Sequence, residues 1–307
     1  MVFKKIIFIV GPTAVGKTSV SLQLARKISG EIISCDSMQV YKEISIASNK
    51  PSSEDLKRVP HHLVNIVSVK KEFDVAHFRK KAVRSIQMIH SKAKIPIVVG
   101  GSGMYMSVLL DGIFEGGAKD LNLRKKLETE AQEKGSEYLH RKLLEVDFTA
   151  AQRIHPNDQK RIIRALEVFE GRQKTISSLQ KKRSGLWGKF NIKIFALNRR
   201  REELYELINQ RVEDMFTGGI IEEIKKLSKM NLSKTAQGVI GIKEVQGFLN
   251  GDYDIERAKY LLKLNTRRYA KRQLTWFRKD KRLKWIMIEP ENFISKIVSR
   301  IMEETDA

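Results

Sequence analysis

Four short strand-like runs punctuate the first hundred residues, at positions 6–10, 31–34, 62–67 and 95–99. The first, Ile6-Ile7-Phe8-Ile9-Val10, is apolar throughout, as a strand buried on both faces must be. Helical patterns separate the first run from the second and the third from the fourth. This alternation predicts a βαβ series, an α/β fold whose parallel sheet is flanked by helices and whose ligands sit beyond the carboxyl ends of the strands. After Gly112 the pattern changes. Positions 115–190 are charged, helical and poor in strand signals, with breaks at Gly116-Gly117, Gly135, Pro156 and Gly185. The spacing predicts a first core segment over 1–114, an inserted all-helical domain over 115–190, and a last segment over 191–307. That last segment returns one strand, at 192–197, to the sheet and is otherwise helical, with turns near Gly218-Gly219, Gly241 and Gly247.

The first strand runs into Gly11-Pro12-Thr13-Ala14-Val15-Gly16-Lys17-Thr18, with a helix predicted from Lys17 to about Ser29. Two glycines, a lysine and a threonine at this spacing make a phosphate cradle: backbone N–H groups wrap an anion and the positive end of the helix points at it. Lys17 adds a point charge, and Thr18 offers a hydroxyl to a phosphate-borne Mg²⁺. The sheet is therefore expected to be P-loop NTPase-like.

Composition narrows the occupant. The chain has 307 residues, 41% of them hydrophobic, enough for a full core. No apolar run approaches the ~18 residues of a membrane span. The first strand begins close to Met1, which leaves no room for a leader and predicts a cytoplasmic location. One cysteine, Cys35, excludes an intrachain disulfide, and six histidines show no metal spacing; His61-His62, the one close pair, reads as packing at the start of a strand. A formal charge of +22 points to a polyanion as partner, the alternative being a solvated lysine-rich surface. Ten basic residues and one acid lie between Lys263 and Lys284, interleaved with Tyr269, Trp276 and Phe277 and followed by Trp285, a pattern suited to gripping a nucleic-acid backbone.

Several residues could carry chemistry. Asp36 stands two residues past the second strand, where a general base would meet the cradle, and where a turn aspartate is equally at home. The Gln39 amide could hold a nucleobase and the Tyr41 ring stack on it. The fourth strand ends in Gly100-Gly101-Ser102-Gly103 without the metal-holding carboxylate usual in ATP-hydrolysing enzymes, which weakens an ATPase reading. The three glycines favour close approach of backbone to a ligand over a plain tight turn. Arg211 interrupts the apolar stripe Leu204, Ile208, Met215, either paired with an anion or snorkelling at the margin. Lys160, Arg161 and Arg164 lie within one helical turn, opposite Ile162, Leu166 and Phe169, as a solvated face or a phosphate contact.

Several segments together resemble one family, the tRNA dimethylallyltransferases. They are the cradle, Asp36-Ser37-Met38-Gln39-Val40-Tyr41, His61-His62-Leu63, Gly100-Gly101-Ser102-Gly103-Met104-Tyr105, Arg153-Ile154-His155-Pro156-Asn157-Asp158, Arg164-Ala165-Leu166-Glu167-Val168, and the most specific, positions 266–278 from Thr266 to Arg278. They span nearly the whole chain in the family's order. The resemblance implies transfer of a dimethylallyl group from dimethylallyl diphosphate to N6 of adenine 37, beside the tRNA anticodon, by a monomer whose family carries an ATP-binding label. It implies that Gly11 through Thr18 hold the diphosphate and that Asp36, Lys17, Arg211 and Ser102 are catalytic. Contacts to tRNA would come from Asp36, Ser37, Met38, Gln39, Ser102, Arg124, Lys160, Arg161, Ile162, Ile163, Arg164, Arg268, Lys271 and Arg272. The chain departs from the family's pattern at Ala47-Ser48-Asn49, Lys160, Ile242 and, conservatively, Ser102. Prenylation of free adenine nucleotides, a nucleotide kinase and a non-catalytic RNA-binding protein are the competing readings. The first leaves the basic aromatic stretch without a purpose, the second lacks its strand-end carboxylate, and the third leaves the cradle unused.

Overall fold

The computed structural model describes residues 4–114, 120–289 and 294–306. Gly116-Gly117 lie outside them. The chain forms two compact units, Met1–Leu110 with Trp187–Ala307, and Asp111–Leu186. The helical unit thus begins and ends four residues earlier than the composition change suggests.

The first unit holds β1 (Lys5–Val10), α1 (Lys17–Lys27), β2 (Glu31–Ser34), α2 (Ser53–Arg58), β3 (His61–His62), α3 (Val75–Ser91), β4 (Pro96–Gly100) and α4 (Gly103–Asp111). After the insertion come β5 (Asn191–Asn198), α10 (Arg201–Thr217), α11 (Ile220–Leu227), α12 (Ile242–Leu249), α13 (Ile255–Phe277), β6 (Lys284–Met287) and α14 (Ile294–Asp306). The sheet is parallel throughout, in the order β3-β2-β4-β1-β5-β6. Central β1 exposes none of Ile6 through Val10, because helices cover both faces. Ile7, Ile9, Val20, Leu24, Phe195, Leu197, Ile208 and Val298 join strands to helices in one cluster.

Two strand expectations need correction. The third strand is two residues long, not six: Leu63 and Asn65 adopt φ of 64° and 57°, left-handed values that end an extended run. A second strand also returns to the sheet after the insertion. β6 occupies Lys284–Met287, starting on the last residue of the stretch read as basic surface, and only Ile286 of its four residues is fully buried. An edge strand with one core residue leaves little apolar signal. His62 pairs with the buried Glu31 at 2.8 Å, which also takes Lys92 and Lys94 at 3.2 and 3.0 Å; these bonds hold the Glu31 carboxyl down at about 2 against the burial that would raise it.

The second unit comprises α5 (Leu121–Lys134), α6 (Ser136–Val146), α7 (Phe148–Ala151), α8 (Gln159–Arg172) and α9 (Ile176–Lys181). Side chains of Asp120, Asp147, Asp158 and Thr175 cap four of these helices, accepting backbone N–H groups that would otherwise lack partners. Its core gathers Leu127, Leu139, Leu143, Ile162, Ile163 and Leu166.

Candidate active site

The cradle folds as its residues require. Gly11 has φ +146° and Gly16 +102°, and a Cβ at Gly11 would sit 2.5 Å from the Leu197 carbonyl oxygen. Among the described residues, the backbone N–H groups of Ala14, Val15, Gly16, Lys17 and Thr18 have no protein acceptor, since Gly16 caps α1 with no side chain. Five donors left open around one loop form an anion nest. Lys17 Nζ lies back across the loop, donating to the carbonyls of Pro12 (2.6 Å) and Gly11 (3.1 Å). Burial, reinforced by nearby Arg211, pulls its pKa down to about 7, with Asp36 resisting. Arg211 Nη1 donates to Thr13 Oγ1 at 2.8 Å, and burial lowers its pKa too. This half-buried cation is turned towards the cradle, where it bonds the cradle's own hydroxyl.

Asp36 follows β2 as the sequence places it. Its Oδ1 accepts N–H groups from Met38 (2.8 Å) and Gln39 (3.4 Å), an Asx turn. Burial raises its pKa, and those two N–H groups and Lys17 only partly offset the rise. The turn and base readings are thus compatible: one oxygen holds the turn. Asp36 lines a cavity of about 460 Å³ with Lys17, Thr18, Arg211, Tyr269 and Gln273. It also lines a second, of about 250 Å³, with Met38, Ile240, Leu262 and Tyr269. Thr18, with a hydroxyl that has no partner among the described residues, suits a metal ion carried in on phosphate oxygens. Among the described residues, no cluster of three or more His, Cys, Asp or Glu side chains could cage a metal.

Other expected site residues have different occupations. Ser102 Oγ accepts the Ser37 N–H at 3.3 Å, joining the β4 and β2 loops. The Gln39 amide accepts from Ser34 Oγ and donates to the Asn49 carbonyl, so both of its ends are in use. Tyr41 cannot stack on a base: it is fully buried, with its hydroxyl on Thr235 at 2.5 Å. The β4 glycines serve the packing as well as the cavity. A Cβ at Gly100, Gly101 or Gly103 would strike the Cys35 carbonyl (2.0 Å), Gln273 (2.0 Å) or Trp276 (2.2 Å), so each lets another segment come close, while Gly100 and Gly101 also line the larger cavity. Ile162 and Ile163 are core residues of the helical unit, 0% and 4% exposed, and cannot touch RNA with their side chains. Arg124 forks onto buried Glu167 at 2.7 and 2.8 Å, with Arg164 at 3.2 Å, while Lys160 and Arg161 stay exposed on α8.

The basic stretch divides as well. Lys263, Arg282 and Lys284 pair with Glu213, Asp280 and Glu304. Arg268, Lys271 and Arg272 remain exposed on α13, whereas Phe277 is core. Two residues of that stretch belong to the cavity: Tyr269, read from the sequence as part of a nucleic-acid grip, and Gln273, with no role read from it. Tyr269 and Gln273, four apart and so on one face of α13, both line the larger cavity. Burial and nearby Asp36 push the Tyr269 phenol up. That i, i+4 spacing within the basic stretch was the available signal.

Comparisons with known proteins identify the family. The model of the IPP transferase family matches residues 39–280. The chain belongs to that family. It is 45% identical to a tRNA dimethylallyltransferase of Halothermothrix orenii over 96% of this chain and 91% of that one. It is also 45% identical to one of Carboxydothermus hydrogenoformans over 98% and 97%. Among solved structures, the tRNA isopentenylpyrophosphate transferase of Bacillus halodurans superposes with TM-score 0.72 at 37% identity, covering 99% of this chain and 97% of that one. A eukaryotic dimethylallyltransferase acting on tRNA superposes with TM-score 0.82 at 30% identity, over 97% and 78%.

Proposed function

We propose that this member of the IPP transferase family transfers the dimethylallyl group of dimethylallyl diphosphate to N6 of adenine 37 in tRNA, acting as a cytoplasmic monomer. The observation that carries the reading is the position of Asp36, which lines both cavities: one ends on the open N–H groups of the cradle, the other is walled by Met38, Ile240, Leu262 and Tyr269. The amine lone pair attacks C1 of the dimethylallyl group, the C1–O bond breaks, diphosphate leaves with the bonding pair, and Asp36 takes the N6 proton. An exocyclic adenine amine is a weak nucleophile because its lone pair is delocalised, so a base at this point matters. Lys17, Arg211 and the N–H groups of Ala14 through Thr18 stabilise the charge that builds on the departing diphosphate. A Mg²⁺ held by Thr18 and the diphosphate would supply further charge neutralisation.

No helix among the described residues is long and apolar enough to cross a membrane. Arg268, Lys271 and Arg272 on α13, and Lys160 and Arg161 on α8, are among the exposed cations suited to phosphate contacts. Ser37, Met38, Gln39 and Ser102 shape the loops beside Asp36 on the acceptor side. Incubation with labelled dimethylallyl diphosphate, unmodified tRNA and AMP in parallel tests the assignment. Label should enter tRNA alone; label in AMP alone would overturn the acceptor, and label in neither the reaction.

A further inference from the structure

Gln273 lies on α13, 260 residues from the cradle, yet its side chain is built into it. Its Oε1 accepts the Thr13 N–H at 2.9 Å and its Nε2 donates to the Gly101 carbonyl at 2.9 Å. The residue is 6% exposed. It bridges the loops that leave β1 and β4, which are adjacent in the sheet with Val10 opposite Gly100. Space for it exists only because residue 101 is glycine, where a Cβ would stand 2.0 Å from Nε2.

The cradle's donors are divided accordingly. Pro12 has no N–H, Thr13 gives its own to Gln273, and the five from Ala14 to Thr18 stay open. We infer that Gln273 is a positioning residue: its neutral amide fixes the first turn of the cradle, aims the five open N–H groups at the diphosphate, and fills the end of β4 without adding negative charge. Thr13 also takes the Arg211 hydrogen bond, so fixing Thr13 fixes the place from which Arg211 reaches the anion. An amide does this where a carboxylate cannot. Glutamate could still accept from Thr13, but it would face the Gly101 carbonyl without a proton to donate and would repel the diphosphate.

The inference rests on the reading that the cradle holds a diphosphate, and inorganic pyrophosphate is the probe. Relative to the native chain, Gln273→Leu should weaken pyrophosphate binding about tenfold and Gln273→Glu more than that, with tRNA affinity in both held within threefold. A purely structural role would weaken both ligands together, and that result, or unchanged pyrophosphate affinity in either variant, would overturn the inference alone. A native chain that binds no pyrophosphate would overturn it and the diphosphate reading together. Amide hydrogen exchange on the native chain gives an answer even if neither variant folds. The Thr13 N–H should be protected without ligand, and those of Ala14 through Thr18 only once pyrophosphate is added; equal exchange across all six would overturn the assignment.

Discussion

Asp36 and Lys17 face one another across the larger cavity with their proton affinities displaced in opposite directions, the carboxyl up and the ammonium down, both first by burial. Each displacement has a consequence for the reaction. A base with a raised pKa holds the abstracted proton better, but it works only when ionised. Transfer should therefore fall as pH drops through a value above the ordinary carboxylate range, and a pH–rate profile in single turnover reads that inflection. Asp36→Asn keeps an oxygen for the Met38 and Gln39 N–H groups and removes the base. It should cut kcat by roughly 10²–10⁴ while tRNA affinity changes less than tenfold; equal loss of both would defeat the base assignment. Lys17, at about 7 in the free chain, is substantially neutral at pH 8. A diphosphate favours the ammonium form and raises that pKa, so binding at pH 8 should take up close to one proton. Calorimetry of dimethylallyl diphosphate binding, a diphosphate ester that is essentially fully ionised at pH 8, in buffers of different ionisation enthalpy counts it, and zero uptake would contradict the lowered value.

At the scale of elements, α13 fixes the geometry of the site, and glycine is what lets it approach. The Trp276 ring lies against Gly103 at the start of α4, so Gly103→Ala should be destabilising although alanine is the better helix former. Overpacking of this kind costs about 1–3 kcal/mol, readable as a lower urea midpoint. The central strands, the cradle and the place of Asp36 were legible in the sequence because their causes are local: apolar runs, glycines at fixed spacing, a strand end. The partners of α13 were not. Gln273, Tyr269 and Trp276 meet β4 and the cradle only through contacts more than a hundred residues distant, and in the sequence they lie inside a run dominated by charge. β6 was hidden for a different reason: three of its four residues lack the burial that marks a strand. Buried Glu167 takes Arg124 from a helix 43 residues away, a pairing no helical spacing within α8 could reveal.

Over the whole molecule the charge of +22 is not one uniform field. Many cations are engaged by carboxylates, as Lys92 and Lys94 are on Glu31 and Lys263 is on Glu213, and a neutralised pair releases few counterions when RNA arrives. The cations left for a polyanion include exposed ones that have no carboxylate partner among the described residues, such as Arg268, Lys271, Arg272, Arg278 and Lys279 in the first unit and Lys160 in the second, whereas Arg161 lies 3.4 Å from Asp158. About five phosphate contacts drawn from them give a log affinity that falls with log salt at a slope of about −4, between the single-strand and duplex limits. Replacing Lys271 and Arg272 together by alanine should flatten that slope by about 1.5 while weakening all tRNA sequences alike. Lys263→Ala should leave it unchanged, because that charge is already spent on Glu213. Titration of tRNA into each variant between 50 and 200 mM salt, the range in which such slopes are well resolved, separates the two classes. A slope near zero for the native chain would mean that the excess charge serves solubility and not RNA.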